Sequence, residues 1–521
     1  MAAMIASRLA GPLLALLLVA AAPPAAAQEV PSDRAVSLAQ RTKRAASEAV
    51  EASLAELVTF DTYHREGTPN AEHPSFQAMT RWLRAFADEH GLDFVDHGAV
   101  VVVGLGDAPE RLGLVTHGDV QPADPSKWAA SPFEMDVTSE PGRLVGRGVQ
   151  DDKGPIACLL HALVALRESG YPLRRRLELI VSYTEESDWA PFQEYLAANP
   201  PPPVNVAFDA HYPVVVGEKG WCSVSVGLPL VPAAGDGPRL RSFTGGFFLS
   251  QVPEDAEARI ADADELLEMA LRSAAALDED VAFEFAREGD ELVVRARGRS
   301  AHSSTPEQGR NGITHLAALL ATQRWSPGGA APMVDLVDEL VGTGWLGERF
   351  GDLAYADEFM GPLTLSLGTL REEDGMLVAG INLRRPVGRS AEEVEASVRE
   401  AVGAWAADRG VAGVTLDVRI GEPHLAREAP HVPVLLQTFA HYTGREGDEP
   451  VSIGGGTHAR LVPHGVNFGP AMPGEPYTGH SEHEYISREQ LRRDLMMFTS
   501  LLVDLAVEPR ADALPKADTE R

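Results

Sequence analysis

The chain has 521 residues, 44% of them hydrophobic, so we expect at least two folded domains rather than a single core. Its formal net charge of −31 argues against a nucleic-acid or anionic-membrane partner, because both need clustered Lys and Arg, and it indicates a solvated acidic surface. Only two cysteines occur, Cys158 and Cys222, which excludes a disulfide framework.

The first residues predict a secretory signal peptide, residues 1–27. Arg8 lies in a weakly basic start, residues 13–22 form an apolar run too short to cross a membrane, and three small residues end at Ala27. We therefore expect a periplasmic or secreted protein that is free of the membrane after cleavage; an uncleaved anchor is the alternative. Residues 511–521 are predicted to be a polar tail.

The next segments predict an α/β catalytic domain with a mainly parallel sheet flanked by helices. Helices are predicted at 75–90 and 155–168, and apolar runs typical of buried strands at 112–116, 177–183 and 204–208. Each run ends at polar residues: His117, the pair Glu185 and Glu186, and Asp209. Because functional sites of α/β proteins lie at the carboxyl ends of parallel strands, we expect these side chains to meet.

The pattern changes in the middle of the chain, where we predict an inserted α+β lid domain, 219–422. It contains two similar, ferredoxin-like units, one from 282 through a helix at 312–323 and the other from 363 through a helix at 391–407. The catalytic domain then consists of residues 28–218 and 423–510.

Imidazoles and carboxylates in these segments provide the ligands for a dinuclear metal site. A two-metal hydrolase needs ligands around each ion, a bridging carboxylate and a general base. His117 and Asp209 are candidates for the first ion, Asp151 for the bridge, and Glu186 with His480 for the second ion.

Two more acids have predicted roles outside this ligand set. Successive side chains of an extended chain point in opposite directions, so Glu186 can bind metal while Glu185 faces the substrate as general base. Asp119, two residues after His117, is predicted to orient the imidazole. Zn²⁺, Mn²⁺ and Co²⁺ can all share such ligands. The glycines at 454–456 lack a phosphate-loop pattern and predict a tight turn.

The order of these motifs resembles the dinuclear zinc aminopeptidase and deacylase family, which includes bacterial dipeptidases, carnosinases, carboxypeptidase G, succinyl-diaminopimelate desuccinylase and aminoacylases. The branch it resembles most is that of the dipeptidases of lactic acid bacteria. The motifs are His117-x-Asp119, Gly146-Arg-Gly-x-x-Asp151-Asp-Lys-Gly-Pro, Glu185-Glu186-Ser, Asp209-Ala-x-x-Pro with Gly217-Glu-Lys-Gly, and His480-x-x-x-Glu484.

The resemblance implies the same ligand sets and the same general base, and it selects His480 over His483 as the last ligand. It further implies that His302, in the lid, stabilises the oxyanion of the tetrahedral intermediate. Arg384 would hold the terminal carboxylate of the substrate, with Arg385 as the competing candidate.

The chain departs from that branch at two positions. Ser250 stands where the branch usually has a substrate-contacting Asn, and Ser481 stands where a Gln usually follows the last ligand. Neither change removes a metal ligand, so activity is expected while substrate preference is loosened.

We therefore predict a metal-dependent dipeptidase that hydrolyses small peptides with the help of a metal-activated water. The alternatives are a deacylase of N-acyl amino acids, which would use the same metal core, and a non-catalytic peptide-binding protein. Because the insert contains two units, we expect a monomer; the alternative is a dimer in which His302 acts across subunits.

Overall fold

A computed structural model describes residues 30–508. The predicted signal peptide and the predicted polar tail lie outside these residues. No helix within the described range is long and apolar enough to cross a membrane.

Ten α-helices occur between residues 30 and 508. They are α1 (Asp33–Val58), α2 (Pro74–Glu89), α3 (Lys153–Ser169), α4 (Ala190–Ala198), α5 (Glu265–Ala275), α6 (Gly312–Ala321), α7 (Ala331–Leu336), α8 (Ala391–Arg409), α9 (Val432–Thr443) and α10 (Arg488–Ala506).

The same range contains 24 strands. They are β1 (Asp93–Asp96), β2 (Val100–His117), β3 (Arg143–Val145), β4 (Arg175–Ser182), β5 (Val204–Ala207), β6 (Ala210–His211), β7 (Val215–Glu218), β8 (Gly220–Pro229), β9 (Arg239–Gly245), β10 (Gln251–Val252), β11 (Asp255–Ala261), β12 (Ala282–Glu288), β13 (Glu291–Arg297), β14 (Ala301–His302), β15 (Ala356–Asp357), β16 (Gly361–Pro362), β17 (Thr364–Glu373), β18 (Met376–Arg385), β19 (Thr415–Ile420), β20 (His424–Leu425), β21 (Val451–Ile453), β22 (Val466–Asn467), β23 (Pro470–Ala471) and β24 (Tyr485–Ser487).

The catalytic sheet has the order β1-β2-β5-β22-β7-β20, with β4 paired to β2 and β21 paired to β7. The pairs of β2 with β4 and β5, β5 with β22, and β7 with β21 are parallel. The predicted strands lie within β2, β4 and β5, except that the predictions for β4 and β5 each extend one residue too far, to 183 and 208. The prediction of a mainly parallel α/β sheet is therefore confirmed.

Both faces of this sheet are covered, which explains why its strands are continuous apolar runs. In β4, Leu177, Leu179 and Val181 pack into the large cluster formed with α1, α3 and α10. Ile180, between them, packs on the opposite face with Phe192 of α4. Because successive side chains alternate, β4 needs apolar side chains on both of its faces. Glu178 is the polar exception within this run, and its carboxylate pairs with Arg111 and Arg176.

The helix predicted at 155–168 is α3, and its burial explains its composition. Most of its residues are buried, including Cys158 at 0% exposure, so it is hydrophobic all round. Gly170 ends it with a φ of 65°, the left-handed conformation that glycine adopts without a Cβ clash.

The lid forms one antiparallel sheet of eight strands in the order β12-β13-β11-β9-β17-β18-β8-β19. Each predicted unit supplies part of one half of this sheet, and the halves meet where Leu370 of β17 pairs with Gly245 of β9. The strands β8, β9 and β11 also belong to the sheet, although they precede the predicted start of the first unit at residue 282. Leu292, Val294 and other residues face a core shared with α6 to α8, whereas the outer face carries ion pairs such as Arg295 with Glu257. This separation of one apolar and one charged face is typical of antiparallel sheets.

The chain passes from the catalytic sheet to the lid between β7 and β8 and returns between β19 and β20. The two passages touch: a Cβ on Gly220 would lie 2.1 Å from the carbonyl oxygen of Gly421. Glycine is required there because any side chain would force the two connections apart.

Candidate metal centre

The first half of the site lies where β2 ends. The Nε2 atom of His117 is 2.9 Å from Asp151 Oδ1 and 3.4 Å from Asp209 Oδ1. Asp151 comes from the loop before α3, and Asp209 comes two residues after β5. The predicted convergence at the carboxyl ends of parallel strands thus brings one imidazole against two carboxylates.

The second half forms on the other side of Asp151. The Nε2 atom of His480 is 3.1 Å from Asp151 Oδ2 and 2.8 Å from Glu186 Oε1. Asp151 therefore faces one imidazole with each of its oxygens, the geometry that a bridging carboxylate requires. His483 instead lies on the surface, where it pairs with Glu140 at 2.8 Å.

His480 is held in an unusual backbone conformation with a φ of 64°. Non-glycine residues seldom adopt this region, and such strain persists only where the surroundings enforce it. The side-chain oxygen of Gln150 accepts the N–H groups of Thr478 and Gly479 at 2.8 and 3.2 Å. The loop carrying His480 is thereby fixed to the loop carrying Asp151.

Glu484 also connects the loop that carries His480 to the loop that carries Asp151. Its carboxylate is fully buried, accepts the N–H groups of Gly148, Gln150 and Asp151 at 2.9 to 3.1 Å, and pairs with Arg147 at 3.0 Å. The final Glu of the His-x-x-x-Glu motif thus organises the loop before α3.

Asp119 is buried beside His117, but its carboxylate contacts the ring less directly than predicted. The His117 Nδ1 atom lies 2.9 Å from the Asp119 carbonyl oxygen and 3.6 Å from its carboxylate. The carboxylate oxygens instead accept the N–H groups of Glu185 and Glu186 at 3.1 and 3.0 Å. Asp119 therefore positions both the imidazole and the two glutamates.

Several buried carboxylates lie close together in the site, and their burial and closeness raise the pKa of some of them. Burial, followed by the negative charge of Asp209, raises the pKa of Glu185 well above its ordinary value. Burial also raises the pKa of Asp209 to about 7, against the opposing effect of His117. Within residues 30–508 neither of these carboxylates, nor Asp151 or Glu186, forms an ion pair with a Lys or Arg.

This donor set fits divalent metal ions. The ligand atoms of His117, Asp151 and Glu186 lie within 4.8 Å of one another, and so do those of His117, Glu185 and Asp209. Imidazole nitrogens with carboxylate oxygens suit Zn²⁺ and its neighbours, and bound cations would neutralise the crowded negative charge.

His302 reaches this cluster from the lid of the same chain. Its ring centroid lies 5.3 Å from that of His480, and its Nδ1 atom is 2.6 Å from Ser304 Oγ. Burial, followed by the nearby His480, lowers the pKa of His302 well below its ordinary value, which keeps the ring neutral. Ser250 lies on the adjoining loop, where its carbonyl accepts the N–H of Ser303 at 3.0 Å.

The two candidate arginines have different surroundings. Arg384 is buried and donates to Ser303 Oγ at 3.1 Å, directly after His302 in the chain. Arg385 donates to the carbonyl oxygen of Gly421 and pairs with Glu422 at the domain connection. Arg384 is therefore the guanidinium placed beside the site.

Three further residues of the site, Gln121, Tyr477 and Trp189, were not predicted from the sequence because they belong to none of the motifs. The Nε2 atom of Gln121 donates to Glu186 Oε2 at 2.9 Å, and the Tyr477 hydroxyl donates to Asp151 Oδ2 at 2.5 Å. The Trp189 Nε1 atom donates to the Glu185 carbonyl at 2.7 Å. Their closeness in sequence to Asp119, His480 and Glu186 was the one available indication.

An α/β domain with carboxylates and imidazoles gathered at the ends of its parallel strands, covered by an α+β lid, defines a metallohydrolase. The family model described as "Peptidase family M20/M25/M40" matches residues 113–504. The chain belongs to this metallopeptidase family, which confirms the resemblance drawn from the motifs.

Relatives agree with this assignment. The beta-Ala-Xaa dipeptidase of Lactobacillus delbrueckii subsp. lactis is 29% identical over 472 residues, covering 88% of this chain and 97% of that protein. Human carnosine dipeptidase 1 shares the fold with a TM-score of 0.54 and 15% identity, covering 91% of this chain and 99% of that one. The di-peptidase Dug1p of Saccharomyces cerevisiae gives a TM-score of 0.53 at 13% identity, covering 90% and 98%.

Proposed function

We propose that the protein is a dipeptidase that uses two divalent metal ions, with Zn²⁺ as the ion. The observation that carries this proposal is the placement of Asp151 between two imidazoles, 2.9 Å from His117 Nε2 and 3.1 Å from His480 Nε2. In this proposal His117, Asp151 and Asp209 would hold one ion, and Asp151, Glu186 and His480 would hold the other. The ions, when bound, polarise the scissile carbonyl and lower the pKa of a water.

Glu185 is the general base and acid. Its carboxylate lies close to His117 and Asp209. Its backbone is hydrogen-bonded to Asp119 and Trp189, which fixes the position from which the side chain extends. It takes the proton of the attacking water and passes it to the leaving amine.

The lid supplies the contacts that choose the substrate. His302, neutral and directed at the cluster, donates a hydrogen bond to the oxygen on which negative charge develops. Arg384 holds the terminal carboxylate, which limits the length of the peptide beyond the scissile bond. The beta-Ala-Xaa dipeptidase among the relatives supports a dipeptide as the substrate class.

We further propose that the protein is an exported monomer. The N-terminal pattern supports export, and N-terminal sequencing of secreted protein tests it. His302 lies near His480 of its own chain, which supports a site completed without a partner. Sedimentation that shows an obligate dimer would contradict the monomer.

A substrate panel tests the proposed activity. A metal-analysed preparation is assayed on dipeptides, on tripeptides and on matched N-acyl amino acids. We expect dipeptides to give the highest kcat/KM. Preference for N-acyl amino acids would assign the same site to a deacylase, and no hydrolysis of any compound would indicate a non-catalytic peptide-binding protein.

A further inference from the structure

Glu218 is a buried carboxylate at the end of β7, directly before the chain enters the lid. It is 1% exposed. It accepts hydrogen bonds from the backbone N–H of Thr457 at 3.1 Å, from the Thr457 hydroxyl at 2.7 Å and from Asn467 Nδ2 at 3.0 Å, and the Arg460 Nε atom lies 3.7 Å away. A buried charge is costly unless it is satisfied in this way, so this network has one preferred arrangement.

Thr457, which donates to Glu218, is the last residue of the segment 454–457. We name residues 454–457 the glycine segment. Gly454 lies against the lid, because a Cβ at this position would be 2.5 Å from the carbonyl oxygen of Ser304. The segment follows Ile453, whose carbonyl accepts the N–H of Lys219 at 3.0 Å. Glu218 and the residue after it therefore fix both ends of the segment to the domain connection.

The glycine segment also contacts the guanidinium of Arg384. The Nη1 atom of Arg384 donates to the Gly454 carbonyl at 3.2 Å. Its other nitrogens donate to Asn382 Oδ1 at 2.8 Å and to Ser303 Oγ at 3.1 Å. Of these three acceptors only Gly454 belongs to the catalytic domain, so the position of the glycine segment sets how Arg384 lies relative to the metal ligands.

We propose that Glu218 is a positioning residue for substrate recognition. It holds the glycine segment against Arg384 and thereby sets the affinity for the terminal carboxylate of the substrate. The inference rests on the proposed role of Arg384 as the carboxylate-binding residue. Glu218 itself contacts Thr457 of the glycine segment and is assigned no contact with the substrate.

The test compares a dipeptide with the same dipeptide carrying a C-terminal amide, in the metal-loaded enzyme. Glu218→Gln keeps the size of the side chain and removes its charge. We expect its KM for the dipeptide to rise about tenfold, the loss of roughly one charged hydrogen bond, with kcat within about threefold of wild type. Kinetics with the amide should change less than about twofold, because the amide lacks the charge that Arg384 recognises.

Glu178→Gln is the matched control. Glu178 is also a nearly buried carboxylate of the catalytic sheet, where Arg111 and Arg176 pair with it at 3.2 and 3.4 Å. Its strand β4 is separated in the sheet from β7, which carries Glu218, by β2, β5 and β22. This variant should keep the wild-type KM for both compounds. Thermal unfolding of both variants shows whether they are folded; if Glu218→Gln is not, Thr457→Val, which removes one donor to Glu218, should show the same selective rise in KM at smaller size.

A double-mutant cycle with Arg384→Met completes the test. If Glu218 acts through Arg384, Glu218→Gln should have no further effect on KM in the Arg384→Met background. Equal losses on the dipeptide and its amide, or an undiminished effect in that background, would overturn the inference. A wild-type enzyme that does not prefer the dipeptide over the amide would instead refute the role of Arg384, before any Glu218 variant is made.

Discussion

Glu185 combines a fixed backbone with a side chain that forms no ion pair with a Lys or Arg of the described residues. Asp119 accepts its N–H, Trp189 donates to its carbonyl, and burial raises its pKa. Glu185→Ala should leave the metal content and the unfolding temperature close to wild type. Turnover of a dipeptide should fall by about 10²- to 10⁴-fold, the usual contribution of a general acid–base group. Near-normal turnover, measured with metal analysis of the same sample, would refute the assignment.

Asp119 supports three functional groups at once, so its replacement should affect metal binding as well as catalysis. Asp119→Asn keeps the shape of the side chain but places a donor against the N–H groups of Glu185 and Glu186. Metal affinity should fall about 10- to 100-fold, as is usual for residues that orient ligands. Competition with a chromophoric chelator measures it, and an unchanged affinity would show that Asp119 has no part in ordering the ligands.

The sequence predicts the site well where ligands follow apolar strands and less well where loops meet. His117, Glu186 and Asp209 could be placed together because the carboxyl ends of parallel strands share one edge. The contact between Tyr477 and Asp151 joins residues 326 positions apart, and no local periodicity encodes it. The preference of Asp119 for backbone N–H groups was equally hidden, because it depends on the turn after β4.

At the scale of single elements, α10 contains a buried acid that no metal explains. Asp494 is 1% exposed and accepts hydrogen bonds from Tyr212 and from Gln490. Burial raises the pKa of Asp494 to about 8, despite these hydrogen bonds. The carboxyl is therefore neutral in the folded protein at pH 7, and its contribution to the free energy of unfolding is complete only at acidic pH.

A stability measurement checks the sign of this effect. Because the folded-state pKa lies above that of the unfolded chain, the stabilisation by Asp494 should be lost as the pH rises through about 8. The side chain of Asp494→Asn cannot ionise. The unfolding temperature of this variant should therefore rise relative to that of the wild type as the pH increases from 5 to 9. Glu489→Gln, exposed on the same helix, is the control and should show no such trend. A difference between Asp494→Asn and wild type that is constant with pH would contradict the argument.

Elements were easier to predict than their assembly. The predicted helices agree with α2, α3, α6 and α8 to within about two residues at each end, because apolar periodicity and terminal glycines are local signals. The two lid units were predicted, but not their union into one sheet. That union depends on the pairing of Gly245 with Leu370, 125 positions apart, and strand pairing of this range leaves no pattern in either strand.

At the scale of the whole molecule, the two domains have separate large hydrophobic cores, and a smaller cluster covers the other face of the catalytic sheet. One core draws on residues 35–216 and 429–507, and the other on residues 222–405. The ligands of the site come from segments as far apart as His117 and His480. Metal ions would therefore tie together distant parts of the catalytic domain, and their loss should lower both activity and stability.

Reconstitution of the metal-free protein tests the central claim most directly. Metal is removed with a chelator, Zn²⁺ is added back in measured equivalents, and dipeptide hydrolysis and the unfolding temperature are followed together. Two equivalents of Zn²⁺ per chain should bind, restore hydrolysis and raise the unfolding temperature. Hydrolysis that survives complete metal removal would contradict the proposed mechanism, and full activity with a single bound equivalent would contradict a two-metal site.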